Sequence, residues 1–234
     1  MLAFHGFGQE ATAFETLGKS KHVLAFDLPF HSKKSLVYQN QREFIELFSP
    51  FFLSDQKSKY DVIACSIGCR LAYALMLNFP TYIRKVHLIA PEGLLIHPLY
   101  TFATHTILGQ WLFKQSVSSF NILNPMVHFV HQFNLLPKSL IRMAKAQTRS
   151  RIHRERVYHT WMIHRDFNVA VTKLAQSIQQ HQMQLEFVLG AQDHIITYQH
   201  IAPLCNALGD YSYGLKQLNA DHFNLLSRYL KTKM

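Results

Sequence analysis

The sequence predicts an α/β protein with a doubly wound, mostly parallel sheet and an inserted helical region. Short apolar runs alternate with helical patterns in residues 1–91, and the same alternation resumes in residues 185–234. Between them, residues 92–184 are rich in helix formers, phenylalanine, histidine and basic residues, and they contain no convincing strand pattern. We therefore predict a core formed by the two outer ranges and a helical cap formed by the middle one.

Each predicted element follows from its local pattern. Apolar runs bounded by turn residues predict strands at 2–4, 22–26, 60–65, 85–90, 185–190 and about 213–218. Helical spacing of apolar residues predicts helices at 12–17, 42–53, 66–78 and 197–208. We expect the second strand to be buried. Within the cap, the prolines separate several helices, and they are Pro98, Pro125 and Pro137.

Composition limits the class of protein. The chain has 234 residues, of which 48% are hydrophobic and 16% charged, which is enough to bury one sizeable core. Three cysteines are too few for a disulfide framework and indicate free thiols in a reducing compartment. Residues 1–4 lack the features of a signal peptide, and the longest apolar region, 86–113, is interrupted by prolines, histidines and a glutamate. We therefore predict a cytoplasmic protein without a transmembrane helix.

The most informative stretch is residues 61–72, in which an apolar strand breaks at Ser66 and helical spacing follows. Ala64 and Gly68, two positions to either side, are small, as a serine on a tight strand-to-helix turn requires. Such a turn lifts the serine oxygen clear of the sheet and points the amide of Ile67 toward the same space. The stretch therefore predicts a nucleophile beside a hydrogen-bond donor for an oxyanion.

Further chemistry-bearing residues follow other predicted strands. Asp193 comes after the strand at 185–190, and His222 comes after the strand at 213–218. Near the N-terminus, His5-Gly6-Phe7-Gly8 follows the first apolar run. The chain order serine, acid, histidine, together with a His-Gly turn, resembles the α/β-hydrolase family over nearly the whole chain.

The resemblance implies a role for each matching residue. Ser66 would be the nucleophile, His222 the general base and later the general acid, and Asp193 the carboxylate that orients the imidazolium. The amides of Phe7 and Ile67 would form the oxyanion hole. Substrate contacts are assigned to three further side chains, His5, Phe30 and Trp161.

The chain departs from the family pattern in two places near the site. The turn begins with Ala64 rather than glycine, which is a sterically mild change. Phe30 and Ser32 stand where many relatives have glycines, which alters a loop beside the site. Relatives also place two or more strands before the His-Gly turn, whereas residues 2–4 alone precede it here. We therefore predict that the N-terminal strands of the sheet are reduced or missing.

Other residues compete for the catalytic roles. Cys65 is a rival nucleophile, although strand alternation turns its side chain away from the site. Asp221 and Asp166 are rival acids. Because Asp221 adjoins His222, its side chain would diverge from that imidazole in an extended loop. Asp193 is therefore the preferred acid.

No cofactor and no metal are predicted. Gly6-Phe7-Gly8 lacks the third glycine of a dinucleotide-binding fingerprint. His128 and His131 lie three residues apart on a predicted helix, but no acidic residue or cysteine accompanies them. Since a metal site needs three or four converging ligands, we interpret them as cap histidines.

Basic residues concentrate between positions 138 and 165, and the whole chain carries a formal net charge of +10. One interpretation is a solvated helix face. The other is a docking face for an acidic carrier protein, an anionic lipid surface or an anionic substrate. Tyr158, Trp161 and Phe167 interleave with the basic residues at near-helical spacing, which favours packing on the inner face of the cap over nucleic-acid binding.

The resemblance predicts a serine hydrolase that cleaves a small-molecule carboxylic ester or thioester with an apolar acyl or alcohol part. The cap lies in sequence between two strands, which places it over the mouth of the site, where it would select the substrate. Three alternatives remain: an esterase for acyl groups held by an acidic carrier protein, a noncatalytic binding protein of the same fold, and lyase or perhydrolase chemistry on the same triad.

Overall fold

The computed structural model describes residues 1–18, 22–54, 58–118 and 150–233. Within these ranges six strands form one parallel sheet in the order β2-β1-β3-β4-β5-β6, with helices on both sides. The predicted fold class is confirmed. The strands are β1 (Leu2–Phe4), β2 (Leu24–Phe26), β3 (Tyr60–Cys65), β4 (Ile83–Ile89), β5 (Gln184–Gly190) and β6 (Gly214–Leu218).

Helices follow most of these strands. In the described ranges they are α1 (Glu15–Gly18), α2 (Gln41–Ser54), α3 (Gly68–Asn78), α4 (Pro98–His105), α5 (Ile107–Ser118), α6 (Arg151–His164), α7 (Val171–Gln180), α8 (Tyr198–Leu208) and α9 (Leu225–Lys231). Short 3-10 turns occupy Ala11–Phe14 and Pro80–Tyr82. None of these described helices is long and apolar enough to cross a bilayer.

Contacts divide the chain into two compact units, one formed by Met1–Leu95 with Asp166–Met234 and the other by Ile96–Arg165. The sequence prediction ended the insertion at residue 184, whereas α7 belongs to the first unit. There, Ser177 Oγ donates a hydrogen bond to the carbonyl oxygen of Met76 at 2.8 Å, which ties α7 to α3.

Aromatic side chains form much of the core of the first unit. Phe44, Phe48 and Phe52 recur at every fourth position of α2 and are buried, as its predicted apolar face requires. Phe4 of β1 packs against this face, with its ring centre 5.9 Å from that of Phe48. Phe167 also packs here, 5.6 Å from Phe44, so its predicted place inside the cap is wrong.

One strand differs from its prediction in burial. β2 lies at the edge of the sheet, and Leu24 is half exposed, whereas the apolar run at 22–26 predicted a buried strand. An apolar pattern of this length does not distinguish an edge strand from a central one. β1 lies inside the sheet instead and pairs with both β2 and β3.

In the second unit, α4, α5 and α6 enclose a small aromatic core. The ring of Trp161 lies 5.0 Å from that of Tyr100 and 5.4 Å from that of Phe113. Tyr158, one turn before Trp161 on α6, also packs against Phe113 at 5.2 Å. A Cβ atom on Gly109 would overlap the backbone carbonyl of Phe102, so α4 and α5 approach closely at that glycine.

Candidate active site

The turn between β3 and α3 holds Ser66 in a backbone conformation that few side chains adopt. Its φ angle is +50°, in the left-handed region where a residue other than glycine is strained. Hydrogen bonds hold this conformation, because the Ser66 amide donates to the Ile89 carbonyl at 2.8 Å and the Ser66 carbonyl accepts from the Cys69 amide at 3.0 Å. The serine is therefore presented on a sharp strand-to-helix turn.

Two glycines allow the surrounding backbone to approach this turn. A Cβ atom on Gly68 would lie 2.6 Å from the carbonyl oxygen of His5 and 2.7 Å from that of Phe4, so a side chain there would collide with backbone. A Cβ atom on Gly6 would lie 3.3 Å from Cβ of Ser66. The His5-Gly6 turn consequently lies directly beside Ser66.

Ser66, His222 and Asp193 form a continuous hydrogen-bonded chain. Ser66 Oγ is 3.2 Å from His222 Nε2, and His222 Nδ1 is 2.8 Å from Asp193 Oδ2. An ionised carboxylate only accepts, so Nδ1 carries the proton that it shares with Asp193. Nε2 is then free to accept the hydroxyl proton of Ser66, which is the arrangement that activates a serine.

Sheet topology explains why these three residues meet. Ser66, Asp193 and His222 follow β3, β5 and β6 respectively, and all these strands are parallel. The loops that follow them therefore lie at the same edge of the sheet. β5 and β6 are neighbours, with Gly190 opposite Leu218, so the loops after them begin side by side.

Asp193 is buried and remains the charged member of this chain. Burial raises the pKa of its carboxyl group, but the hydrogen bond and electrostatic attraction of His222 outweigh this effect. Together with hydrogen bonds from the amides of Ile196 and Ile195, they lower the pKa below its usual value. Those amides donate to Oδ1 at 2.9 and 2.8 Å. Both carboxylate oxygens are thus engaged, which fixes the orientation of the group.

Two of the rival residues, Asp221 and Cys65, are poorly suited to the catalytic roles. Asp221 Oδ1 accepts hydrogen bonds from the amides of Phe223 and Asn224, each at 3.0 Å, so this carboxylate closes its own turn. Cys65 is buried, and burial together with the nearby charge of Asp193 raises the pKa of its thiol to about 12. A thiol with that pKa is not ionised at neutral pH and is a poor nucleophile. Cys69 and Cys205 are also buried free thiols.

The two predicted oxyanion donors have amides without a competing acceptor. Among the described residues, neither the Phe7 amide nor the Ile67 amide donates a hydrogen bond to the protein. The amides on either side of Phe7 are held, since Gly6 N donates to Gln9 Oε1 at 2.9 Å and Gly8 N donates to His31 Nε2 at 3.1 Å. Both amides are thus unengaged by the rest of the described protein, as the predicted role requires.

Sequence reasoning assigned no role to Gln9 or His31. His31 is buried, and its Nδ1 donates to the Pro29 carbonyl at 2.9 Å while its Nε2 accepts from Gly8. The sequence signal for these two roles was the presence of polar side chains close to a glycine-containing turn, because the backbone amides of such a turn need hydrogen-bond acceptors. Such pairings leave no periodic pattern, so the sequence alone did not reveal them.

His5 is fully buried, which bears on its predicted contact with substrate. Its Nδ1 donates to the Gly6 carbonyl at 2.8 Å, and its Nε2 accepts from the Leu28 amide at 3.0 Å. Both ring nitrogens therefore bind backbone and order the turn that carries Phe7. A contact of His5 with substrate remains a prediction.

Phe30 lies in the loop beside this turn and is exposed. Its φ angle of +66° lies in the left-handed region that favours glycine, so a side chain at this position is strained. Trp161, the third predicted substrate contact, belongs to the unit formed by Ile96–Arg165 and packs there against Tyr100 and Phe113. Substrate contacts by Phe30 and Trp161 remain predictions.

An ion pair that includes the buried Arg70 lies close to the nucleophile turn. Arg70, on α3, is 2% exposed, and its Nη2 donates to Glu92 Oε1 at 2.9 Å. Glu92 lies on the loop after β4, where its backbone amide approaches the Ser66 carbonyl at 3.4 Å. The pair links this loop to the helix that begins just after Ser66. Sequence reasoning assigned neither residue a role.

The described residues contain no group of three histidine, cysteine or acidic side chains placed to hold a metal ion. His128 and His131, the pair considered from the sequence, lie outside the described residues. So does the part of the predicted basic segment that precedes residue 150, namely Lys138, Arg142, Lys145 and Arg149.

The sheet order, the Ser66 turn and the loops after β5 and β6 together are those of the α/β-hydrolase fold. Solved structures of other proteins support this assignment of the fold. The chain is similar to a hydrolase from Pseudomonas aeruginosa PA01 at 14% identity, with a TM-score of 0.62, over 99% of this chain and 86% of that one. It is similar to MGS-M2, an α/β hydrolase from a Medee basin deep-sea metagenome library, at 12% identity and a TM-score of 0.64, with the same coverage.

A third similar structure is MenH from S. aureus, at 13% identity and a TM-score of 0.61, over 99% of this chain and 90% of that one. No family model and no curated protein matches the sequence. At these identities the likeness establishes the fold, and the activity has to be argued from the site.

Proposed function

We propose that this protein is a serine hydrolase that cleaves a carboxylic ester or thioester through an acyl-enzyme. The observation that carries the proposal is the hydrogen-bonded chain from Ser66 Oγ to His222 Nε2 and from His222 Nδ1 to Asp193 Oδ2. Structures of the same fold with names such as carboxylesterase, aryl esterase and enol-lactonase give this proposal further support.

The proposed mechanism uses each of these groups in turn. Ser66 Oγ attacks the carbonyl carbon while His222 Nε2 takes the hydroxyl proton, and the ionised Asp193 stabilises the imidazolium that forms. The developing oxyanion accepts hydrogen bonds from the Phe7 and Ile67 amides. His222 then returns the proton to the leaving alcohol or thiol. A water molecule, deprotonated by His222, releases the acyl group from Ser66.

An apolar group on the substrate is favoured by the side chains near the triad. Phe223 follows His222 directly, its ring centre lies 5.9 Å from that of His222, and the side chain is exposed. Phe30 adds a second exposed aromatic ring beside the oxyanion turn. Exposed aromatic residues at a catalytic site lower the free energy of binding an apolar acyl or alcohol group.

Fluorophosphonate labelling of the purified chain, mapped by peptide mass spectrometry, tests the proposal. We expect modification at Ser66, no labelling of Ser66→Ala, and normal labelling of the control Ser227→Ala, whose hydroxyl binds the Asn224 carbonyl in α9. A panel of esters and thioesters with short to long acyl chains then measures substrate preference.

If the folded wild-type protein is not labelled, the proposal is wrong and the noncatalytic alternative replaces it. Faster turnover of an acyl group on an acidic carrier protein than of the same free acyl ester would favour the carrier alternative. Release of products without uptake of water would favour lyase chemistry on the same triad. The cytoplasmic location also remains a prediction, to be tested by cell fractionation.

A further inference from the structure

Positive charge is concentrated in the second unit of the chain. Ile96–Arg165 contains nine of the 24 lysines and arginines but one of the 14 acidic residues, Glu155. This unit therefore carries +8 of the formal net charge of +10, and the remainder of the chain carries +2. Such an asymmetry creates a local positive potential that attracts anionic surfaces.

The same unit exposes large apolar side chains on α5. Ile107 is 91% exposed, Leu108 59% and Trp111 57%. With 100° between successive residues, these three side chains and the exposed Lys114 fall within one arc of the helix. A surface helix ordinarily directs its apolar side chains inward and its polar ones outward, so this face is reversed.

The exposure does not result from a helix that lacks packing. The opposite face of α5 is packed, since Phe113 contacts Tyr158 and Trp161, and Gly109 lies against the backbone of Phe102. Gln110 Nε2 also donates to the Thr104 carbonyl at 2.9 Å, which fixes α5 to α4.

The neighbouring helix α4 shows the same reversal. Its buried residues are Tyr100 and Thr104, whereas Leu99 and Phe102 are exposed. Each of the two helices thus has an inner face occupied by the unit's own core and an outer face that carries large apolar side chains.

We propose that the outer faces of α4 and α5 form a surface that docks on an anionic lipid bilayer. We call it the α4–α5 face, and its members are Leu99, Phe102, Ile107, Leu108, Trp111 and Lys114. The apolar side chains enter the boundary between headgroups and acyl chains, with the helices lying in the plane of the membrane. Trp111 takes the interfacial position that tryptophan favours, Lys114 contacts lipid phosphates, and the net positive charge of the unit attracts the anionic surface.

Charge and side-chain chemistry favour a membrane over the other occupants of such a surface. A second copy of this chain would bring the same unit charge of +8 against itself, which opposes self-association through this face. An acidic protein satisfies the charge, but it would cover Ile107, Leu108 and Trp111 only through apolar pockets that match their shapes, whereas the interfacial region of a bilayer accepts such side chains without a specific fit. A bilayer that contains anionic lipid supplies both partners.

Vesicle flotation of the purified full chain tests the proposal. We expect binding to phosphatidylcholine vesicles that contain phosphatidylglycerol, weaker binding to phosphatidylcholine alone, and loss of binding at high salt. Ile107→Ser combined with Trp111→Ser should lower the partition coefficient about tenfold or more, since two apolar anchors are lost. Lys114→Gln should lower it roughly fivefold. The matched control is Val37→Ser, because Val37 is 84% exposed but lies in the first unit.

Tryptophan fluorescence provides a second readout that does not depend on a destabilising variant. The chain has two tryptophans, so Trp161→Phe leaves Trp111 as the reporter and Trp111→Phe leaves Trp161. With anionic vesicles, we expect a blue shift and quenching by brominated lipid in the first variant and neither change in the second. Circular dichroism establishes that each variant is folded.

Three results would overturn the proposal. The first is unchanged vesicle binding by the folded Ile107→Ser/Trp111→Ser variant, and the second is a Trp111 emission that anionic vesicles do not alter. The third is a wild-type protein that does not bind vesicles but binds an acidic carrier protein or a second copy through the α4–α5 face. Sedimentation would measure that binding, and the double variant would lose it. The proposal concerns this face alone and does not depend on the proposed hydrolase activity.

Discussion

His87 is a buried histidine whose titration should control the acid stability of the fold. It lies on β4, 5% exposed, with Nδ1 2.8 Å from Glu186 Oε2 and 2.8 Å from the Tyr229 hydroxyl. Lys233 Nζ approaches the same Glu186 oxygen at 3.4 Å. Burial lowers the pKa of His87 to about 4; the charge of Glu186 offsets this in part, while Lys233 and Lys85 add to the lowering.

The direction and size of the effect follow from the two protonation states. In the unfolded chain, histidine takes up a proton near its ordinary pKa of 6.5, whereas in the folded protein His87 stays neutral until about pH 4. The unfolded state therefore binds more protons between these values, and the free energy of unfolding falls as the pH decreases. This difference in pKa corresponds to a loss of about 3 kcal/mol by about pH 4.

Urea unfolding of wild type and His87→Gln between neutral pH and about pH 4 measures this contribution. Glutamine does not titrate, so we expect the variant to lose about 3 kcal/mol less than wild type over the same range. His22→Gln is the matched control for replacing a histidine by glutamine, because His22 is exposed. Equal losses in wild type and His87→Gln would refute the reasoning, since His87 would then not be held neutral by the fold.

Three further substitutions test the site. Asp193→Asn should lower kcat by about 10⁴ without unfolding the protein, because the imidazolium loses its carboxylate; a kcat within tenfold of wild type on the best ester would contradict the assigned role. Glu92→Gln should lower the free energy of unfolding by about 1–2 kcal/mol, since the buried Arg70 loses a charged hydrogen-bond acceptor that is itself 28% exposed, and an unchanged urea midpoint would show that the pair contributes nothing. Phe30→Gly should raise the melting temperature, because relief of about 1–3 kcal/mol of backbone strain exceeds the entropic cost of glycine. The same substitution should raise KM for apolar esters if Phe30 contacts substrate.

The sequence predicted the strand and helix that flank Ser66 well because each is a local feature. The predicted bounds of β3, residues 60–65, agree with the structure, and α3 begins two residues after its predicted start. Ser66, Asp193 and His222 each follow a strand with a clear apolar run. Parallel strands bring the residues after their ends to one edge of the sheet, so order along the chain was enough to bring the three together.

Features that depend on distant neighbours were not predictable in the same way. The apolar run at 22–26 has the same appearance in a central strand and in an edge strand, and the structure places β2 at the edge. The helix α7 carries an apolar face at Leu174, Ala175 and Ile178, but nothing in that pattern says which unit it packs against. Gln9 and His31 act by accepting hydrogen bonds from backbone amides, which requires knowledge of where those amides point.

The burial of all three cysteines has a practical consequence for studying this molecule in solution. Cys65, Cys69 and Cys205 lie inside the described fold, and burial raises the pKa of the Cys65 thiol to about 12. Thiol reagents at neutral pH should therefore react slowly with the native chain. A cysteine introduced at an exposed position, such as Val37 or Ile107, would accept a spin label or fluorophore selectively, without prior removal of the natural thiols.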